Sequence, residues 1–344
     1  MAILVTGGAG YVGSHTVLAL QRAGYDVVVV DNLSNSSAEP LDRVSRLSGS
    51  KVTFYELDLR DISKLRQVFR SEAIEAVVHL AGLKSVGESV ADPIKYYDNN
   101  VGSSVALTTV MSSCDVRTLV FSSSATVYGQ ADSPEYVESM AVAPVNPYGH
   151  TKLTIEHLLQ DLAGSSQHWR MCALRYFNPV GADESGAIGE DPVGVPANLF
   201  PYIAQVAIGK RRCLTVFGND YATRDGTAVR DYIHVSDLAE GHLAALQKMP
   251  PEGNFFSAFN LGVGHGESVL DVIRAFEQAS GVAIPYRIAA RRPGDLAAYW
   301  ANPAKAHELL GWRAERGLQR ACEDTWRWQV RNPDGYQSAA NGSV

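Results

Sequence analysis

Tyr148 and Lys152 are four residues apart, and this pair is the first indication of chemistry in the chain. Residues at this spacing are neighbours on one face of a helix, so the phenol and the ammonium are predicted to lie side by side. A tyrosine with an ordinary pKa of about 10 is a poor base at neutral pH. Because nearby positive charge favours the phenolate, we expect a lowered pKa for Tyr148 and a role as general acid and base.

A cluster of hydroxyl side chains precedes this pair. Ser122, Ser123 and Ser124 follow the apolar run 118–121, which is typical of a strand. A hydroxyl at the end of such a strand could bond a reacting oxygen and pass on its proton, and we choose Ser124 for that role. The spacing of Tyr148 and Lys152 alone also occurs on ordinary amphipathic helices. The catalytic interpretation therefore depends on the motif that precedes both.

That motif is a glycine-rich turn near the start of the chain. Residues 8–13 fit the dinucleotide pattern G-x-G-x-x-G, between the strand-like run 2–6 and a helical pattern over 11–22. Glycines let the backbone approach a pyrophosphate, and the helix N-terminus supplies unpaired N–H groups. Asp31 ends the next apolar run, 27–30, where a carboxylate can accept hydrogen bonds from ribose hydroxyls and repel a 2′-phosphate. This combination predicts NAD rather than NADP.

Alternating strand and helix patterns supply the framework for these groups. Further strand-like runs lie at 51–55, 76–80, 118–121 and 171–174, and helical stretches lie at 41–47, 62–70, 93–112 and 147–162. This alternation predicts an α/β fold with a doubly wound parallel (Rossmann) sheet. Ligands bind such sheets at the carboxyl ends of the strands, so we expect the site there.

The amino-acid composition of the chain changes after residue 176, where a stretch rich in glycine, proline and acidic residues extends to residue 196. We expect an NAD-binding domain at 1–177 and a mainly substrate-binding, smaller mixed α/β domain at 178–344. Segments of the second part could return to the first domain, because a chain can cross back into the first sheet. Runs at 255–261 and 269–279 are predicted to form a further strand and helix. The polar tail from 332 onward is expected to be frayed.

Composition excludes several classes of function. The 344 residues carry a net charge of −7 without a clustered basic face, which argues against nucleic acid as a partner. No apolar segment reaches the length of a membrane span, and the N-terminus does not resemble a signal peptide. Cys114, Cys172, Cys213 and Cys322 are far apart and show neither metal-ligand nor disulfide spacing. We expect a cytoplasmic protein without a metal.

Longer strings resemble the UDP-glucose 4-epimerase family of the extended short-chain dehydrogenase/reductase superfamily. They are RYFNPVG (175–181), FGNDY (217–221), VRDYIHV (229–235) and RRPGD (291–295), and the resemblance extends to about residue 336. It implies a tightly held NAD that is used without net redox change. In the family, the tyrosine takes the 4-hydroxyl proton while hydride passes from C4 to NAD. The 4-keto sugar then rotates and hydride returns to its other face.

The resemblance also implies binding residues and partners. With the glycine motif, the predicted cofactor contacts are Gly7, Gly10, Tyr11, Val12, Gly13, Asp31, Asn32, Asn35, Ser36, Asp58, Leu59, Leu80, Ala81, Gly82, Leu83, Lys84, Asn99, Ser122, Tyr148, Lys152 and Phe177. The predicted contacts to UDP-glucose and UDP-galactose are Ser124, Tyr148, Asn178, Asn198, Leu199, Val216, Phe217, Arg230, Arg292, Asp295 and Tyr299. Guanidinium groups also match a diphosphate on chemical grounds alone. A homodimer is implied, paired through the helices that begin near 93 and 147.

Other functions remain open at this point. The substrate could be another UDP-sugar, such as an N-acetylhexosamine, a pentose or a hexuronate. Tyr299 falls where the family restricts space beside the 2-substituent of the sugar, which favours sugars that are not N-acetylated. A 4,6-dehydratase would carry Asp-Glu after the threonine of the serine cluster, and this chain has Ala125 and Thr126 at the corresponding positions. A non-catalytic NAD sensor is disfavoured because Tyr148 and Lys152 are both present.

Overall fold

The computed structural model describes residues 1–165, 168–292 and 294–337. The strands are β1 (Ala2–Thr6), β2 (Asp26–Asp31), β3 (Thr53–Glu56), β4 (Ile74–His79), β5 (Thr118–Ser124), β6 (Glu135–Tyr136), β7 (Arg170–Tyr176), β8 (Asn178–Val180), β9 (Leu214–Phe217), β10 (Val229–Arg230), β11 (Tyr232–His234), β12 (Phe255–Leu261), β13 (Glu267–Ser268), β14 (Tyr286–Ala289) and β15 (Ala298–Ala301). The helices are α1 (Tyr11–Arg22), α2 (Glu39–Ser48), α3 (Ile62–Ser71), α4 (Val86–Ala91), α5 (Pro93–Tyr96), α6 (Gly102–Ser113), α7 (Pro147–Gly164), α8 (Leu199–Ala207), α9 (Val235–Lys248), α10 (Val269–Ser280), α11 (Ala304–Leu310) and α12 (Leu318–Arg331).

Seven strands form one parallel sheet in the order β12-β7-β5-β4-β1-β2-β3. Alternate residues of β1 serve the two faces: Ile3 and Val5 belong to one buried cluster, and Leu4 belongs to the other. Because helices cover both faces, each strand can be apolar throughout, which is why these runs show no alternation. The predicted doubly wound parallel sheet is confirmed.

The strand order reverses at β1, which pairs with β2 on one side and β4 on the other. A crevice forms at such a point, beyond the carboxyl ends of the strands. The glycine turn follows β1, Asp31 ends β2, Leu80 follows β4 and Ser124 ends β5. The fold therefore brings the polar residues of four strand ends to one edge of the sheet.

Within the described residues, three small sheets lie outside the large one: β13-β10-β15-β6, β11-β8 and β14-β9. The chain crosses between the large and small sheets, because β6 pairs with β15 while β12 joins the large sheet beside β7. Predicted strand 255–261 and predicted helix 269–279 correspond to β12 and α10. The division into two domains stays a prediction.

One expectation is confirmed with a local change, and another was wrong. The helix predicted over 93–112 is present, and a π-helical turn, Tyr97–Val101, joins α5 to α6 within it. Residues 332–336 of the expected frayed tail are ordered by polar contacts: Asn332 is buried and donates to the Gly186 carbonyl at 3.0 Å, and the Tyr336 hydroxyl donates to the Gly189 carbonyl at 3.0 Å. Residues 338–344 lie outside the described part of the chain.

In the described residues, no helix is long and apolar enough to cross a membrane. The same residues contain no group of three or more His, Cys, Asp or Glu side chains placed to hold a metal ion.

Candidate active site

The glycine turn after β1 leaves no space for side chains. Gly7 has a φ of +70°, and its N–H donates to the Val30 carbonyl at 2.8 Å. A Cβ on Gly7 would lie 2.6 Å from the Ala81 nitrogen, and a Cβ on Gly13 would lie 2.1 Å from the Gly7 carbonyl oxygen. Gly10 is the N-cap residue of α1 and has no side chain with which to cap it. The N–H groups of Tyr11, Val12 and their neighbours therefore face the turn as an anion site.

The Asp31 carboxylate lies against this turn. It accepts hydrogen bonds from the Ala9 N–H at 3.1 Å, the Leu33 N–H at 2.9 Å and the Ser36 hydroxyl at 3.2 Å. Burial raises the pKa of Asp31, and these three bonds oppose the shift. The carboxylate is fixed beside the glycine backbone, as expected for a group that recognises a ribose.

The neighbouring strand end carries a second predicted carboxylate, Asp58. Its pKa is lowered to about 2, chiefly by the hydrogen bond from Arg60. The Asn32 side-chain amide lies 3.4 Å from this carboxylate, so these two predicted residues meet. Leu59 is buried, while Asn35 lies on the exposed loop after β2. Arg60 was missed because an arginine in a loop gives no sequence signal of its partner.

A buried asparagine shapes the segment after β4. Asn100 accepts from the Leu83 N–H at 2.8 Å and donates to the Leu83 carbonyl at 3.0 Å and to Thr151 at 3.2 Å. The segment includes Ala81, Gly82 and Lys84, and a Cβ on Gly82 would lie 3.2 Å from Asn100. Asn100 belongs to the π-helical turn, a feature often found at functional sites. The predicted residue Asn99 is its half-buried neighbour.

Tyr148 and Lys152 lie on one face of α7. Asn146 caps this helix by accepting from the Gly149 N–H at 2.9 Å, and Pro147 occupies the first position. The Lys152 nitrogen lies 5.8 Å from the centre of the Tyr148 ring. It donates a 2.7 Å hydrogen bond to the Ser122 carbonyl. The predicted side-by-side arrangement is present, with the ammonium directed to the end of β5.

The chain's own groups do not lower the pKa of Tyr148. Burial raises the pKa of Tyr148 to about 12, and a hydrogen bond with Ser124 offsets only part of this. Burial also lowers the pKa of Lys152 to about 7, against the attraction of Glu156. Lys152 was expected to lower the pKa of Tyr148 together with the positive nicotinamide of an oxidised cofactor, but burial removes both Tyr148 and Lys152 from water, and that cost outweighs the charge of Lys152 alone. The protein's own groups therefore hold the phenol protonated at neutral pH.

The three serines of the cluster face different partners. Ser124 accepts hydrogen bonds from the Thr126 N–H at 3.2 Å and the Thr126 hydroxyl at 3.0 Å, and it also bonds the Tyr148 phenol. Ser123 is buried and donates to Glu156 instead. Of the three, Ser124 is the one whose hydroxyl adjoins the phenol, and it remains our choice as its proton partner.

Behind the serines lies a buried ion pair that sequence reasoning missed. Arg175 contacts both carboxylate oxygens of Glu156, at 3.1 Å and 2.7 Å. Its third nitrogen donates to the Tyr128 hydroxyl at 2.9 Å, which donates to Asn260 at 2.6 Å. Glu156 is one helical turn beyond Lys152, a spacing that could have revealed it. The network joins α7, β5, β7 and β12 behind the reacting groups.

Aromatic side chains pack beside Ala125, directly after the serine cluster, and form an aromatic wall. The Tyr299 ring stacks on Tyr136, with centres 5.7 Å apart and planes 21° apart, and lies 6.0 Å from the Phe177 ring. Its hydroxyl is 3.5 Å from the side-chain oxygen of Asn178. The predicted residues Phe177, Asn178 and Tyr299 are thus brought together. Tyr136, more than 160 residues away from Tyr299 in the chain, was not predicted.

Two predicted arginines adjoin this wall differently. Arg230 is buried, pairs with Asp295 at 2.5 Å and stacks 4.6 Å from the centre of the Tyr299 ring. Arg292 is exposed and lies 4.0 Å from the centre of the Phe217 ring, next to the buried Val216 of β9. Pro293, in the same string, lies outside the described residues.

The last two predicted residues lie at the start of α8. Asn198 is the N-cap residue of this helix, and its side-chain amide donates to Glu190 at 2.9 Å. Leu199 is partly buried in the small-sheet core. The site therefore combines a glycine turn, a phenol–serine–lysine cluster, an aromatic wall and two arginines.

A parallel sheet with this turn and a tyrosine–lysine helix defines a dinucleotide-binding protein of the short-chain dehydrogenase/reductase class. The model of the NAD dependent epimerase/dehydratase family matches residues 3–262. The chain belongs to this family, and the resemblance seen in the sequence is confirmed.

Relatives of known name are similar over the whole chain. UDP-glucose 4-epimerase from Bacillus subtilis is 56% identical, over 98% of this chain and 100% of the relative. The crystal structure of UDP-glucose 4-epimerase from Stenotrophomonas maltophila, with bound NAD and formylated UDP-arabinopyranose, is 48% identical with a TM-score of 0.94, over 99% of both chains. The enzyme from Bifidobacterium longum, in complex with NAD+ and UDP, is 49% identical with a TM-score of 0.93, over 97% of this chain and 100% of that one.

Proposed function

We propose that the protein interconverts UDP-glucose and UDP-galactose by NAD-dependent epimerisation at C4. The observation that carries this proposal is the meeting of Tyr148, Ser124 and Lys152 with the glycine turn at one edge of the sheet. Full-length similarity to UDP-glucose 4-epimerases supports it. The reaction is an isomerisation, since the same carbon is oxidised and then reduced.

The chain's groups fit NAD as the cofactor. The N-terminus of α1 suits its pyrophosphate, because the first N–H groups of the helix have no intrahelical acceptor and no side chain caps them. Asp31 suits a ribose with a free 2′-hydroxyl. When bound, NAD supplies reversible acceptance of hydride beside the phenol. The residues after β4, the Asp58 carboxylate and Lys152 complete the proposed cofactor side.

Tyr148 moves the proton of the 4-hydroxyl. In the resting protein the phenol is protonated, because burial raises its pKa to about 12. Positive charge beside the ring favours the phenolate, and Lys152 lies one helical turn away to help stabilise it. Ser124, hydrogen-bonded to the phenol, bridges it to the sugar oxygen and relays the proton.

The aromatic wall and the two arginines beside it bind the UDP-sugar. Arg230 and Arg292 offer guanidinium groups for the diphosphate, and Asn178 offers an amide beside the Tyr299 hydroxyl. The pairing of Arg230 with Asp295 fixes the guanidinium before substrate arrives. Asn198, Leu199, Val216 and Phe217 complete this side.

The proposal is tested by incubating the purified protein with UDP-galactose and no added cofactor, then measuring UDP-glucose. We expect conversion in both directions towards one equilibrium ratio. A panel of N-acetylated, pentose and hexuronate UDP-sugars separates the proposed activity from the alternatives. Conversion of only another UDP-sugar would reassign the substrate, and NAD binding without any turnover would favour a sensor.

We also propose a homodimer in the cytoplasm. Ile94 and Tyr97 are 80% and 43% exposed on the segment from α5 into the π-helical turn, and Val90 and Val105 are 63% and 47% exposed nearby in the chain. Exposed apolar side chains of this kind mark protein interfaces. Light scattering tests the dimer, and Ile94→Glu should shift the protein towards monomer. The free cysteines among the described residues support a reducing compartment.

A further inference from the structure

Glu190 joins a lysine from the proposed cofactor side to an asparagine from the proposed substrate side. One carboxylate oxygen of Glu190 accepts a 2.9 Å hydrogen bond from the Asn198 amide and lies 3.3 Å from the Lys84 ammonium. Lys84 follows β4 of the large sheet, whereas Asn198 precedes α8. One side chain thus contacts both halves of the site.

The position of Glu190 is fixed from behind by the C-terminal part of the chain. The Glu190 carbonyl accepts from the Trp328 ring N–H at 3.3 Å. The preceding Gly189 is bonded to the Tyr336 hydroxyl through both its N–H, at 3.1 Å, and its carbonyl, at 3.0 Å. A Cβ on Gly189 would lie 2.5 Å from the Trp328 ring, so this close approach requires glycine. The carboxylate is therefore held by the scaffold before any ligand arrives.

Glu190 is a mostly buried carboxylate that is paired with a more exposed lysine. The carboxylate side chain is 10% exposed, and its partner Lys84 is 62% exposed, so Glu190 is the less hydrated member of the pair. Its charge is also felt by the hydroxyl of Tyr11, the first residue of α1. An unpaired carboxylate here would leave an uncompensated negative charge between the proposed cofactor side and the proposed substrate side. Pairing with Lys84 offsets this charge, and the Asn198 amide shares the same oxygen.

We propose that Glu190 is a positioning residue that couples the cofactor side to the substrate side. It holds Lys84 and Asn198 in one cluster. Removing the side chain of either residue therefore changes the position in which Glu190 holds the other. This inference rests on the proposed epimerase activity, because its readout is the turnover of UDP-galactose. It differs from a structural role, which would change stability without linking these two residues.

A double-mutant cycle tests the coupling. Lys84→Met, Asn198→Ala and the double variant are compared by kcat/KM for UDP-galactose at saturating NAD, first in the wild type and then with Glu190→Ala. In the wild type we expect the double variant to lose about 2- to 5-fold less than the product of the single losses. With Glu190→Ala we expect the losses to multiply. Losses that multiply in the wild type, or unchanged coupling in Glu190→Ala, would overturn the proposal.

Two further variants protect this test. Glu190→Gln keeps the volume and one acceptor oxygen but loses the charge that pairs with Lys84, so the coupling should fall by at least about half even if Glu190→Ala does not fold. Glu184→Ala removes a 71% exposed carboxylate from the same loop, one that pairs with Arg320, and should leave the coupling intact. Absence of turnover in the wild type would instead contradict the proposed function.

Discussion

The Lys152 ammonium bonds the Ser122 carbonyl at 2.7 Å, although the Tyr148 ring is one helical turn away on the same face. The ammonium is buried, and its pKa is lowered to about 7 because desolvation exceeds the attraction of Glu156. A charged lysine at this buried position therefore lowers the stability of the fold. Such costs are common where a residue is retained for function rather than for stability.

Lys152→Met should stabilise the protein at neutral pH while impairing turnover. Between pH 7 and about 10.5 the unfolded chain binds the lysine proton and the folded one releases it, so wild-type stability rises with pH across this window. The gain from Lys152→Met, about 1–3 kcal/mol, should be largest at pH 7 and should shrink towards pH 10.5. Urea unfolding at pH 7, 8.5 and 10 measures it, with Lys64→Met, on the exposed surface, as the control. A gain that does not change with pH would contradict the assigned cause.

Tyr148→Phe should lower kcat by about 10²–10⁴-fold and leave binding of NAD and UDP within a few-fold. The substitution removes the hydroxyl that bonds Ser124 and keeps the ring. Steady-state kinetics and calorimetric titration measure the two effects. Tyr286→Phe, at a 47% exposed position, is the matched control and should be silent. Retention of more than about half the wild-type rate in Tyr148→Phe would remove the tyrosine from the mechanism.

NADP should bind at least about tenfold more weakly than NAD, because the fixed Asp31 carboxylate would face the 2′-phosphate. Asp31→Ser should narrow the difference by removing the charge while keeping a hydroxyl near the Ala9 N–H. Dissociation constants for both cofactors provide the measurement. Equal affinities in the wild type would show that Asp31 does not select the cofactor.

Tyr299 should restrict the sugar at its 2-substituent. The ring is held by Tyr136 and Phe177, so it cannot swing aside freely, and an overlapping acetamido group would cost about 1–3 kcal/mol. Tyr299→Cys should therefore raise kcat/KM for UDP-N-acetylgalactosamine by roughly 5- to 160-fold. The control variant Tyr136→Phe keeps the ring that stacks on Tyr299, so it should not raise kcat/KM for this substrate. Comparable wild-type kcat/KM for the acetylated and plain sugars would exclude this gate.

Glu156→Ala should destabilise the fold by about 3–5 kcal/mol, because it leaves the Arg175 guanidinium buried and unpaired. Adding Arg175→Met should recover part of the loss, since both charges are then gone. Urea unfolding of the two single variants and the double variant measures this coupling. If the double variant lost the sum of the single losses, the pair would not act as a unit.

Local patterns predicted the parts of the site that depend on sequence spacing. Helix 11–22 was predicted with the bounds that α1 has, because the glycine turn precedes its first residue and Gly24, with a φ of +84°, stops it. The pairing of Tyr148 with Lys152 likewise follows from helical periodicity. The interruption of helix 93–112 could not be foreseen, because Asn100 bonds residues on two other segments that only the fold brings near.

Long-range contacts and solvation account for what the sequence did not reveal. Tyr136 reaches Tyr299 only because β6 pairs with β15, and no local pattern encodes that pairing. The raised pKa of Tyr148 depends on burial, which a spacing of two residues does not report. Residues 332–336 were predicted to be a frayed polar tail because their partners, such as Gly189, lie far away in sequence.

The contact between Tyr336 and Gly189 also orders events during synthesis. The large sheet gains its last strand, β12, once residue 261 has emerged from the ribosome, so the glycine turn can form early. The loop that carries Glu190 has to wait for Trp328 and Tyr336, which follow the end of β12 by more than 60 residues. A nascent chain can therefore have a nearly complete nucleotide-binding sheet while the loop that carries Glu190 is still unfolded.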